Sequence, residues 1–257
     1  MKEEIVGTIP SKSEEIQSWE WGDLQLEVKR SASELWLRHR YHKEQPESDE
    51  DTWYDESADW SRWPLDEGMG ELHFSLLMPD LPVVISSKYP IHLQPGEQIQ
   101  VFVGIPVWLH ISLASEHENI KPLLELPSQE LKKTWFGTPL DGELSYWKES
   151  NARLGLQPVG SSDHLVYCPI QIINEADDLL TFTKFIFRVE SLSIYQVREE
   201  YWADETIIHF KGGGNPSDID MTGKLPPSKR GKNTKKLTPP RKPARKNISL
   251  RTFQSLF

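Results

Sequence analysis

The sequence predicts an all-β chain, with a β-sandwich-like body of roughly ten or more short strands, few short helices, and a disordered basic C-terminal tail. Three observations predict it. Apolar and polar residues alternate with period two through most of the body. Pro-Gly corners and tight-turn dipeptides interrupt that alternation at short intervals. Charge then divides along the chain: Met221–Phe257 holds eleven Lys or Arg and no acid, while the preceding 220 residues hold the other 18 bases and all 39 acids. By those counts the body is near −21 and the tail +11, which sums to the net −10.

Trp21, Leu24, Leu26 and Val28 mark a first strand, and Leu35 and Leu37 a second. Leu72, Phe74 and Leu76 mark a third, and Val83 to Ser86 is a short apolar run after Pro82. Leu93-Gln-Pro-Gly-Glu97 reads as a turn with Gly where positive φ is needed. Ile99, Val101 and Val103, then Val107, Leu109, Ile111 and Leu113, continue the alternation around Pro106, which suits a strand edge or bulge. Leu144 and Tyr146 follow the turn dipeptide Asp141-Gly142. Leu165 to Ile173 and Leu179 to Val189 read as a hairpin joined by the polar loop 174–178. Leu192 to Val197 and Thr206 to Phe210 complete the strands. Helix signals are short: one or two turns from Ser128 to Thr134, and a capping box at Ser11 and Glu14.

Residues 1–211 therefore form the expected body, with room for a subdivision near 115–134. Its loop 44–67 carries ten acids against one base. Asp49, Asp51, Asp55 and Glu56 lie there beside Trp53, Tyr54, Trp60 and Trp63. Gly212 to Gly214 should release the chain, and the Pro- and Lys-rich 212–257 cannot bury enough apolar surface to order itself. Its cations include Lys229, Arg230, Lys232, Lys235, Lys236, Arg241, Lys242, Arg245 and Lys246. Leu250, Phe253, Leu256 and Phe257 would share one face of a short helix over 249–257.

No motif names a reaction. The chain lacks G-x-S-x-G, G-x-x-x-x-G-K-[ST] and G-x-G-x-x-G. Cys168, the only cysteine, lies in an apolar strand and reads as an inert buried thiol. His39 and His42, three apart, point to opposite faces of a strand, so no metal site and no cofactor is expected. No apolar stretch has the length of a signal peptide or membrane span, which suggests a cytoplasmic protein.

The stretch Thr134-Trp-Phe-Gly-Thr-Pro-Leu-Asp-Gly-Glu-Leu-Ser-Tyr146 is unusual. With Pro90-Ile-His-Leu-Gln-Pro-Gly-Glu97, Ile105-Pro-Val-Trp108 and Pro169-Ile-Gln-Ile-Ile-Asn174, it resembles the uncharacterised prokaryotic family called domain of unknown function 432. The resemblance covers roughly residues 15–210. It implies no activity and no site residue, and for some relatives an association with mechanosensitive-channel domains.

The expected function is a non-enzymatic interaction or regulatory protein. Its tail would dock on an acidic surface of its own body, of another subunit or of a protein partner, which also admits a homo-oligomer. Nucleic acid or an anionic membrane surface would be reached only through the tail, because the acidic body repels phosphates. A carbohydrate-binding module or carboxylate-dependent hydrolase is the remaining alternative.

Overall fold

The computed structural model describes residues 6–9, 15–42, 60–65, 69–115, 120–149, 153–154, 162–213, 215–231, 233–243, 248–250 and 252–254. Regular structure there is almost entirely strand, with single 3-10 turns at Val189–Ser191 and Pro227–Lys229. The chain divides into two units: Met1–Leu76 with Trp108–Glu130, and Leu77–Val107 with Leu131–Phe257.

In the first unit, β1 (Gly7–Ile9) is followed by β2 (Gln17–Trp21), β3 (Leu24–Arg30), β4 (Glu34–Tyr41), β5 (Ser61–Pro64) and β6 (Met69–Leu77). β2 to β5 form an antiparallel four-stranded meander, with Trp21 opposite Leu24 and Val28 opposite Leu37. The chain then makes β7 (Val83–Leu93) and β8 (Gln98–Pro106) in the second unit, and returns for β9 (Trp108–Ser115) and β10 (Ile120–Pro127). A second four-stranded sheet has the order β1-β6-β9-β10. The alternate residues Trp19, Leu24, Leu26, Val28, Leu35 and Leu37 of one sheet are buried, as are Leu72, Phe74, Leu109 and Ile111 of the other. Trp19 meets Phe74 edge-on at 5.6 Å, which joins the two apolar faces.

The second unit continues with β11 (Lys132–Phe136), β12 (Glu143–Glu149), β13 (Arg153–Leu154), β14 (Leu165–Asn174) and β15 (Leu180–Phe187). β16 (Ile194–Val197), β17 (Glu200–Ala203), β18 (Thr206–Phe210) and β19 (Ser217–Met221) follow. The last strands are β20 (Thr234–Thr238), β21 (Ile248–Leu250) and β22 (Phe253–Gln254). A five-stranded sheet has the order β11-β12-β7-β15-β22. A nine-stranded sheet runs β20-β16-β17-β14-β18-β19-β21, with β8 and then β13 attached to β14. Two neighbouring corners carry the chain from the five-stranded to the nine-stranded sheet or back: 94–97 and 175–179. Asn174 is fully buried between them and donates to Leu93 O at 2.9 Å and Asp178 O at 2.8 Å. Gly96 takes φ +78°, as the turn reading required, and its N–H bonds to Asn174 O.

Several expectations are corrected. Trp21 to Val28 spans two strands, because Gly22 at φ +62° reverses the chain. No helix follows Ser128; β11 begins at Lys132. β14 and β15 are not a hairpin but lie in different sheets, since both apolar faces of β14 are covered and its edges are taken by β8, β17 and β18. The described part of 212–257 is not free chain. Ser217–Met221 alternates buried and half-buried residues on β18, and Thr234–Thr238 pairs with β16. Ile248–Leu250 and Phe253–Gln254 are strands, not the turn of a helix. The sheet edges offer backbone partners that a polar segment satisfies without an apolar core of its own. The capping box lies outside the described residues.

Candidate interaction surface

The β11–β12 hairpin carries the unusual stretch singled out in the sequence. Its register pairs Lys133 with Tyr146, Thr134 with Ser145 and Trp135 with Leu144. Gly137 at φ +109° turns the chain out of β11, and Thr138 Oγ1 accepts the Asp141 N–H at 3.1 Å. The Trp135 Nε1–H donates to Thr138 O at 2.9 Å, and the indole lies directly on Gly142, where any side chain would collide with it. Trp135 is thus fixed from two sides. It nevertheless stays 54% exposed, beside Leu144 at 45% and Leu140 at 94% on the loop tip. With its one donor satisfied within the hairpin, the indole offers apolar area at little entropy cost.

The opposite face of the hairpin is core. Phe136 packs with Val84 and Ile186, and Trp147 closes this cluster beneath Lys184 Nζ, 4.9 Å from its ring. Glu143 holds the Arg188 guanidinium through two hydrogen bonds of 2.8 and 2.5 Å. On β12 the Tyr146 hydroxyl donates to Asp80 at 2.9 Å, and burial with that carboxylate pushes its pKa up. The Phe136 cluster and the Glu143–Arg188 pair hold the hairpin from behind, and Tyr146, on the Trp135 face by register, ties it to Asp80, while Lys132 and Lys133 remain exposed on β11.

Five of the described cations of the C-terminal segment meet groups of their own unit. Lys229 Nζ sits 4.1 Å from the Trp202 ring centre and 3.4 Å from Glu200 Oε2. Arg230 Nε donates to Leu225 O at 2.6 Å, and Arg241 Nε to Met78 O. Lys236 Nζ lies 5.7 Å from the Tyr195 ring, and Lys235 is exposed. The Lys242 N–H bonds to Glu190 O at 3.0 Å, and its Nζ approaches Glu190 Oε1 at 3.8 Å. Burial pushes the Glu190 carboxyl above its usual pKa. Phe253 is the apolar anchor of the segment: it packs 4.8 Å from Phe182 and 5.7 Å from Phe210. For Leu250 the strand is described but not its side chain. Lys232, Arg245, Lys246, Leu256 and Phe257 lie outside the described residues.

Of the acidic aromatic loop, Asp49, Asp51, Trp53, Tyr54, Asp55 and Glu56 also lie outside them. Trp60 is covered by Arg38, 4.7 Å from its ring, and Trp63 sits on β5 opposite Leu35. Arg62 binds both oxygens of Glu34 and lies 4.5 Å over Trp36. Trp60 and Trp36 therefore meet cations of their own unit.

The interior of the second unit holds several buried polar groups. Cys168 is fully buried, and burial, then the Asp204 charge, push its thiol well up. Asp204 accepts the Ser193 N–H at 2.8 Å, and burial and that carboxylate push Tyr195 up to about 12. At the surface His209 and Lys211 both bond Glu175, and these bonds hold its carboxyl below the usual range. Among the described residues no group of three His, Cys, Asp or Glu is placed to hold a metal ion, and no helix is long and apolar enough to cross a membrane.

Sequence reasoning missed Trp135, Leu140 and Leu144 as surface residues. Trp135 lies in a strand-like segment, where core packing is the commoner place for an indole, and Gly142 seven residues later is the one local sign of an indole needing room. The family model described as protein of unknown function (DUF432) matches residues 7–257, so the chain belongs to that family. The match extends the expected range through the C-terminal segment, in keeping with the strands found there. No curated protein and no solved structure matches the chain.

Proposed function

We propose that the protein is a non-enzymatic interaction module whose contact face is the β11–β12 hairpin. The observation that carries this reading is Trp135: fixed by Thr138 O and Gly142, it stays 54% exposed next to Leu140 and Leu144. A rigid aromatic anchor with apolar neighbours and a lysine rim has the make-up of an interface hot spot. The C-terminal segment then acts as an internal brace rather than a free arm, because Lys229, Arg230, Arg241 and Lys242 already face Glu200, Glu190 and backbone carbonyls. On this face the cross-strand neighbour of the indole is Leu144, with Lys133 two residues along β11, so an apolar contact with a basic rim suits it better than a sugar platform.

A photo-reactive leucine in place of Leu140, in full-length protein expressed in cells, tests the reading. A discrete cross-linked species is expected, and Trp135→Ala should reduce its yield at least tenfold, equivalent to about 1.4 kcal/mol. The absence of any discrete adduct, or an adduct indifferent to Trp135→Ala, sinks it.

A further inference from the structure

The outer edge of β11 has a free and readable hydrogen-bonding pattern. The Tyr146 N–H donates to Pro82 O at 2.8 Å, so the backbone of Tyr146 faces the β7 side of β12. N–H and C=O groups alternate sides along a strand, so Ser145 faces β11 and exchanges its bonds with Thr134. By the same alternation, the N–H and C=O groups of Lys133 and Trp135 point away from β12. Among the described residues no strand pairs there. Three other edges in this unit end in β20, β21 and β22, strands of five, three and two residues supplied by the C-terminal segment, and a fourth ends in the two-residue β13. β11 receives no such strand.

We infer that β11 pairs antiparallel with β11 of a second copy of this chain, across a two-fold axis at Thr134. This rests on the hairpin being the contact face and names its partner. In an antiparallel pair the outward-facing residues must oppose each other, which leaves three registers. Lys133 opposite Lys133 sets like charges face to face. Trp135 opposite Trp135 sets Lys133 against Gly137, whose φ of +109° has already left the strand. The third register sets Lys133 opposite the second copy's Trp135, twice over by symmetry. It makes four main-chain bonds, two ammonium–indole contacts and a central Thr134–Thr134 pair.

Lysines on an edge strand usually repel a stranger. Here the alternation Lys133-Thr134-Trp135 makes the edge complementary to itself, and the exposed Leu144 extends the apolar contact on the same face. Five residues of strand and one apolar patch per copy form a small interface, so the dimer should be weak, on the order of 10 µM.

Sedimentation velocity of the full chain from about 1 to 500 µM tests it. A monomer–dimer equilibrium is expected. Lys133→Pro removes an outward-facing N–H without touching the β12 ladder, and should weaken the dimer at least tenfold while circular dichroism stays unchanged. Lys133→Glu alone and Trp135→Lys alone should each be monomeric. Their mixture should dimerise, because the new carboxylate then faces the new ammonium while the remaining Trp135 faces the remaining Lys133. Rescue by mixing shows that both variants are folded and that the register is right. A protein that stays monomeric throughout, or a dimer indifferent to Lys133→Pro and unrestored by mixing, overturns the inference. If the purified chain is monomeric while the Leu140 probe still captures a different protein, the contact face stands and the second copy falls.

Discussion

Glu190 shows how one buried carboxylate shapes stability. It is 6% exposed at its side chain, its Oε2 has no hydrogen-bond partner among the described residues, and Lys242, at 3.8 Å, and Arg188 offset its burial only in part. Burial is the leading cause and raises its pKa above 4.5. The folded carboxyl therefore holds its proton more tightly than the unfolded one. Its contribution to stability is fullest below pH 4.5 and declines as pH rises through the usual carboxylate range to the raised folded value. Glu190→Gln keeps the shape and removes the charge. It should raise Tm at pH 7 to 8 relative to wild type and lose that advantage near pH 4. Calorimetry at the two pH values decides; an equal Tm difference at both means the charge is not the cause. At the same scale Trp135 was legible only as an aromatic. Whether an indole is core or surface depends on which face of the sheet is covered, and alternation alone does not say.

At the scale of elements, the C-terminal strands are held by pairing and by one ring. β22 has two residues, yet Phe253 reaches Phe182, Phe185 and Phe210, and the Ile186 N–H bonds to Thr252 O at 3.0 Å. Phe253→Ala should cost about 3 kcal/mol, the low end for a buried phenylalanine because this one is half-buried. Urea unfolding measures it, and a loss under about 1 kcal/mol would show that β22 contributes little. The apolar residues of this segment were visible in the sequence, but their spacing suited a helix face. Phe253 stands instead on β22 against β15, and the backbone of β21 pairs with β19. Local spacing describes a segment's own geometry, whereas here the partner strands dictate its conformation.

Taken whole, the second unit is finished only by its last residues, since β19 pairs with β18, β20 with β16 and β22 with β15. Ending the chain at Gly213 would uncover those three edges along with Ile208, Phe210 and Phe182. The truncated protein should aggregate or lose its cooperative melt, as unpaired apolar edges do. A monomeric truncation with the full-length Tm would show that the segment is dispensable. The sequence by itself determined the all-β class, the period-two strands, the Gly96 turn and the buried Cys168, because each depends on neighbours along the chain. Only the tertiary structure decided that β14 and β15 belong to different sheets, that the basic segment completes the body, and that Trp135 faces outward. Those outcomes depend on which edge and which face meets which. Such pairings join residues distant in sequence, and no local pattern encodes them.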